Sequence, residues 1–127
     1  MLDKIASVIL IIIGVINLFP IIVFFDSSKT AKLYGVPIDG ESLIILMRHR
    51  GILLGLVGLA LIFAAFKPEF RIVAITAALI SKSAFVFLTL TASNYTAEVG
   101  QVALIDVGAG ILLLAVLGIH FFGKQAV

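Results

Sequence analysis

Four stretches of this chain, residues 4–25, 43–66, 72–92 and 101–122, are apolar for most of their length and carry few charges. A hydrocarbon core takes about 20 helical residues to cross, so each stretch is long enough to span one. In lipid no water satisfies open backbone groups, which leaves helices and closed barrels as the only spanning structures. The apolar residues show no period-2 alternation, and that argues against a barrel. The expected fold is therefore all-α: an integral membrane, four-helix antiparallel transmembrane bundle forming one domain over residues 1–127. Composition agrees, with 62% hydrophobic and 13% charged residues, against roughly half and a quarter in soluble proteins. The mean hydropathy is +1.29.

The connections differ in kind. Residues 26–42 form the long loop, where Ser27 or Ser28 can cap a short helix through Lys29-Thr30-Ala31-Lys32-Leu33-Tyr34, with Gly35 as its stop. Such a helix is expected at the membrane interface with Leu33 and Tyr34 towards lipid. Val36-Pro37 and Asp39-Gly40 read as turns, and Ser42 as the cap of the second span. Residues 67–71 make a tight hairpin between the second and third spans. The apolar run from Ile5 to Phe25 is too long for a signal peptide and no small-x-small site follows it, so it reads as a retained first span.

Orientation follows from lysine and arginine. Lys4, Lys67, Arg71 and Lys124 fall on one side of the bundle and Lys29 and Lys32 on the other. The positive-inside rule then places both termini in the cytoplasm; the membrane expected is a bacterial inner (cytoplasmic) membrane.

The polar residues inside the spans fall at similar depth. At about 1.5 Å per residue, Arg48 and Arg50 lie roughly 8 to 11 Å below the outer end of the second span, and Asp106 roughly 9 Å below that of the fourth. Asn17 comes out at about 12 Å in the first span and Lys82 at about 15 Å in the third. Every span thus contributes to one layer in the outer half: Asn17, Arg48, Arg50, Lys82 and Asp106. Asp106 is the only acid within any span. Pairing with one arginine is the least costly way to bury both, because the planar guanidinium suits a bidentate carboxylate contact. Three cations against one anion leave positive charge that water, carbonyls, lipid phosphate or an anionic ligand must compensate.

Helical steps of about 100° place Gly51, Gly55 and Gly58 on one stripe, with Arg48 close to it, while His49 points roughly opposite. Small residues at this spacing permit close helix approach. Asn17 and Pro20 mark a weak point in the first span, where the proline leaves a carbonyl unpaired. Two readings of Arg48 and Arg50 stand together: snorkelling anchors at the headgroups, or walls of a pocket. Asp106 has too short a stem to snorkel, which favours a pocket or a structural ion pair.

Several function classes fall away. The net charge of +2 forms no basic run, so nucleic acid is not an expected partner. There is no cysteine, which excludes thiol chemistry and thiolate metal sites. His49 and His120 sit at opposite ends of the membrane and cannot share a metal. There is no Ser–His–Asp ordering at a shared depth, no pair of carboxylates and no phosphate-cradling glycine loop, so no catalytic residue, metal or cofactor is expected.

Three features resemble the DoxX-like group of small four-helix membrane proteins: the arginines and glycines from Arg48 to Gly58, Leu33-Tyr34-Gly35 before them, and a polar residue early in the fourth span. The resemblance implies the four-helix fold and a role as a subunit of a membrane oxidoreductase or an assembly helper. It assigns no catalytic residue.

The leading expectation is a non-enzymatic binding protein with an outward-opening polar pocket for membrane lipid or an anionic amphiphile. In it Asp106 orients one arginine while the other arginine and Lys82 contact the ligand. The rival is an accessory or assembly subunit, or a homo-oligomer, in which the polar layer is a structural network and the glycine faces dock a partner membrane protein. A proton-coupled carrier or enzyme using Lys82 and Asp106 is a third.

Overall fold

The computed structural model of the protein describes residues 1–125; the side chain of Lys124, counted above for orientation, lies outside the described part. The elements in order are α1 (Leu2–Leu18), a 3-10 turn (Phe19–Ile21), α2 (Ile22–Phe25), α3 (Lys29–Tyr34), α4 (Glu41–Phe66), a second 3-10 turn (Pro68–Phe70), α5 (Arg71–Thr91) and α6 (Ala97–Gln125), with no strand among the described residues. Four units, Leu2–Phe25, Glu41–Phe66, Pro68–Thr91 and Ala97–Gly123, are long and apolar enough to cross a membrane.

The long helices form a bundle in which α1 lies beside α4, α4 beside α5, α5 beside α6, and α6 beside α1. α1 and α5 thus face each other across one diagonal, and α4 and α6 across the other. Leu10 and Ile13 of α1, Leu61 of α4, Ile75 and Ala78 of α5 and Leu113 and Val116 of α6 are buried at the centre.

The first unit changes helix type where the sequence predicts weakness. Pro20 has no N–H to continue the α-helical ladder. The chain instead tightens into a 3-10 turn in which the Phe19 N–H donates to the Ile16 carbonyl, then resumes as α2. The glycine stripe of α4 packs on this irregular stretch and on α1. A Cβ at Gly51 would stand 2.7 Å from the Pro20 carbonyl oxygen, and one at Gly58 would stand 2.5 Å from that of Gly14 and 2.9 Å from the Leu18 nitrogen. The glycines are therefore filled from within the chain and are not free to dock a partner helix.

α5 turns one stripe inward: Arg71, Ala74, Ile75, Ala78, Lys82 and Thr89. The small residues let its two long cations run along the bundle axis and across the diagonal to α1. Arg71 is 2% exposed. Its guanidinium donates to Asp3 Oδ1 at 2.7 Å, to Ser7 Oγ at 2.9 Å and to the carbonyls of Ala64 and Ala65 at 3.3 and 3.4 Å. The last two carbonyls belong to the final turn of α4, which has no helical donors of its own and draws a cation. Arg71 is thus a buried clamp joining three helices, and not the exposed interfacial charge that its hairpin position implies.

The caps also differ from expectation. Gly40, in a left-handed backbone conformation at φ 88°, precedes α4, and Ser42 lies inside the helix. Ser28 makes no capping bond to α3; its amide and hydroxyl both donate to Asp26 Oδ1, at 3.1 and 2.6 Å. These two bonds, helped by Lys29 and Lys32, hold the Asp26 carboxyl below the usual carboxylate range. Gly35 does terminate α3, at φ 65°.

Candidate functional site

Three of the five polar residues expected in one layer meet in the bundle centre. Lys82 Nζ donates to Asn17 Oδ1 at 2.8 Å and to Asp106 Oδ1 at 3.0 Å. Asn17 in turn donates through Nδ2 to the Leu54 carbonyl of α4 at 3.1 Å. α1 reaches that carbonyl because Gly14 and Gly58 let the two backbones touch. One chain of bonds therefore ties all four long helices together, and its members are buried or nearly so: 7% of the Lys82 side chain and 15% of Asp106 remain exposed.

The expected pairing of Asp106 with an arginine is not what forms. Asp106 stands on α6 and both arginines on α4, the opposite corner of the bundle, whereas α5 is the neighbour of α6. The flexible stem of Lys82 covers the distance to Asp106 and still reaches Asn17. Arg48 leaves the layer: its Nε donates to the Phe24 carbonyl at 2.7 Å and its guanidinium lies 4.9 Å from the Phe24 ring centroid. That places a cation at the C-terminal end of α2, where unpaired carbonyls attract it. His49 points outward and is exposed.

Arg50 takes a different course. Its guanidinium lies 5.3 Å from the Tyr34 ring centroid and 5.1 Å from that of Phe85, between α3 and α5. Ring faces attract a cation but accept none of its five N–H donors as a carboxylate would. No acceptor for those donors is found among the described residues. Arg50 is thus half-buried, stacked and without a counter-ion.

Arg50 and the Asn17–Lys82–Asp106 cluster line one cavity of about 520 Å³ between α1, α3 and α6. Its walls are mostly apolar, including Val15 and Ile16 of α1, Phe19 of the 3-10 turn that follows, and Val102 and Ile105 of α6, with Leu54 of α4 behind. Val15, Ile16, Phe19 and Ile105 are also exposed on the outside of the bundle, so the cavity opens sideways between α1 and α6. Lys32, Tyr34, Glu98 and Gln101 complete the rim. The lining holds three basic side chains (Lys32, Arg50, Lys82) and two acidic ones (Glu98, Asp106), a smaller excess than the sequence suggests.

α3 roofs this cavity instead of lying with Tyr34 towards lipid. Thr30 and Tyr34, one turn apart, are both buried. The Thr96 hydroxyl donates to the Tyr34 carbonyl and accepts from the Val99 N–H at 3.1 Å, so it caps α6 and fastens the end of α3 in one stroke. The Asn94-Tyr95-Thr96 loop therefore has a structural role. On the far side of the ion pair, Lys82 and Asp106 also line a groove of about 370 Å³ between α5 and α6, beside Gly110 and Leu114.

Sequence reasoning missed Arg71, Tyr34 and Glu98. Arg71 carries a readable signal, since it precedes Lys82 by eleven residues, about three helical turns, and so shares its stripe. Tyr34 and Glu98 carry none, because their place depends on how α3 folds back. Among the described residues no three His, Cys, Asp or Glu side chains are grouped as a metal requires. No family model, curated protein or solved structure matches this chain, so the likeness to the DoxX-like group rests on the quoted residues alone.

Proposed function

We propose that this is a multi-pass membrane protein whose four long helices cross the bilayer as an antiparallel bundle, and that its cavity binds one anionic membrane amphiphile. The outward faces support the first part: Val8, Ile12, Val15, Leu56, Phe63, Val73, Ile80, Leu112 and Leu114, among others, are exposed along all four helices. An apolar surface of that extent is stable in lipid and not in water.

The observation that carries the second part is Arg50, a half-buried guanidinium with no acceptor, on the wall of a largely apolar cavity that opens to the side. A charge in such a place calls for a counter-ion. Tyr34 and Phe85 hold the guanidinium plane, so its N–H groups are preorganised for a phosphate or carboxylate. The opening between α1 and α6 lets an acyl chain stay in the bilayer while the headgroup enters. The cavity size falls within the range of about 300 to 1,000 Å³ usual for small-molecule sites. Lys82 is already neutralised by Asp106, so the anion belongs with Arg50.

The test is native mass spectrometry of the protein released from nonionic detergent with phosphatidic acid or phosphatidylcholine added. The wild type is expected to retain phosphatidic acid preferentially. Arg50→Gln is expected to lose about tenfold or more of that affinity, the usual value of a charge-assisted hydrogen bond. Arg48→Gln, whose arginine is occupied by the Phe24 carbonyl, is expected to behave as wild type. Equal retention of both lipids, or of the anionic lipid by Arg50→Gln, would contradict the proposal.

A further inference from the structure

We infer, on the basis of the amphiphile-binding reading, that the ligand is a glycerophospholipid whose headgroup carries free hydroxyls beyond its phosphate, of the phosphoglycerol kind. The inference comes from what the Lys82–Asp106 pair leaves unused. A lysine ammonium has three N–H donors and no acceptor. Two of the three are taken, by Asn17 Oδ1 and Asp106 Oδ1. The third has no partner among the described residues, and neither has Asp106 Oδ2. Both residues line the cavity beside Asn17, whose amide keeps a second N–H, and both also border the groove between α5 and α6; the polar floor thus offers donors from Lys82 and Asn17 beside one acceptor of Asp106.

Few groups satisfy such a floor. A second phosphate or a carboxylate accepts from Lys82 but sets its charge against Asp106. An ammonium, as in ethanolamine, donates to Asp106 but sets its charge against Lys82. Choline has no donor. A hydroxyl both donates and accepts at one atom and brings no charge into a pair that is already balanced. The anion and the hydroxyl then belong to different heights of one ligand. Arg50 stacks on Phe85, and Phe85 follows Lys82 by three residues of α5, about 4.5 Å along the axis. A little less than one helical turn therefore separates the phosphate position from the floor, a distance that a three-carbon polyol attached to the phosphate can bridge. The chains leave past Val15, Phe19 and Ile105.

The comparison that isolates the hydroxyls uses phosphatidylglycerol and phosphatidylpropanol with identical chains, which share the phosphodiester charge and differ only in the two hydroxyls. Wild-type protein in detergent is expected to bind phosphatidylglycerol about tenfold more tightly, as two matched hydrogen bonds imply. In Asp106→Asn the open acceptor is replaced by a donor amide, and the ratio is expected to fall towards one. Equal binding of the two lipids by wild type would overturn the phosphoglycerol inference and leave the amphiphile reading standing. Binding of neither would overturn both. The wild-type ratio decides the matter even where the variant does not fold.

Discussion

Replacing Lys82 with methionine is expected to destabilise the protein more than any other single change in the polar layer, by about 3 to 5 kcal/mol. The methionine fills a similar volume but leaves the Asp106 carboxylate in the bundle centre with no partner, and leaves Asn17 Oδ1 without its donor. The loss should fall at the lower end of that range, because Asp106 keeps 15% exposure and water can reach it. Unfolding in mixed detergent and dodecyl sulfate micelles measures it. Adding Asp106→Asn to Lys82→Met removes the uncompensated charge and should recover most of the loss. A loss below about 1 kcal/mol for Lys82→Met would place the pair with exposed ion pairs, which contribute little.

The second large effect is expected from a single methyl group. A Cβ added at Gly58 would meet the Gly14 carbonyl oxygen at 2.5 Å and the Leu18 nitrogen at 2.9 Å. Both are backbone atoms of α1, and neither can rotate away as a side chain does. Gly58→Ala must therefore push α1 off α4, at a cost of about 2 to 3 kcal/mol, the upper part of the overpacking range. The same displacement draws Asn17 from the Leu54 carbonyl and loosens the cavity floor. Gly108 is the control, because a Cβ there meets nothing within 4 Å. Gly108→Ala should be neutral or slightly stabilising, since alanine is the better helix former by about 1 kcal/mol. Equal effects of the two substitutions in the same unfolding assay would refute the close α1–α4 approach.

What could be read from the sequence and what could not divide along physical lines. Four long apolar helices follow from composition and length, which act locally, and so does the break at Pro20. The meeting of Asn17, Lys82 and Asp106 was legible because helical rise is constant and buried polar groups seek one another. Their partner choice was not. Whether Asp106 finds Arg48, Arg50 or Lys82 depends on which helices are neighbours, and the ring order that puts α4 and α6 at opposite corners cannot be read from any one helix. Arg71 reads only as a hairpin charge on the side of Lys4 and Lys67; its burial against the last carbonyls of α4 goes with the stripe it shares with Lys82. Ser42 as a cap failed because Gly40 turns the chain two residues earlier. Likewise α3 was legible as a short helix ending at Gly35, but its inward face required the contact with Thr96, which is sixty-two residues away from Tyr34.

The excess charge of the polar layer first pointed to Lys82 with one arginine as the ligand contacts. With Lys82 neutralised by Asp106 and Arg48 bound to the Phe24 carbonyl, Arg50 alone remains uncompensated, and the ion pair becomes the neutral floor of the cavity.

A crystal structure grown in a lipidic phase doped with phosphatidylglycerol tests this account most directly. The expected map has phosphate density against the Arg50 guanidinium between Tyr34 and Phe85, headgroup density reaching Lys82 and Asp106, and chains emerging between α1 and α6. A cavity holding only water, with Arg50 turned to pair with Glu98, would contradict it.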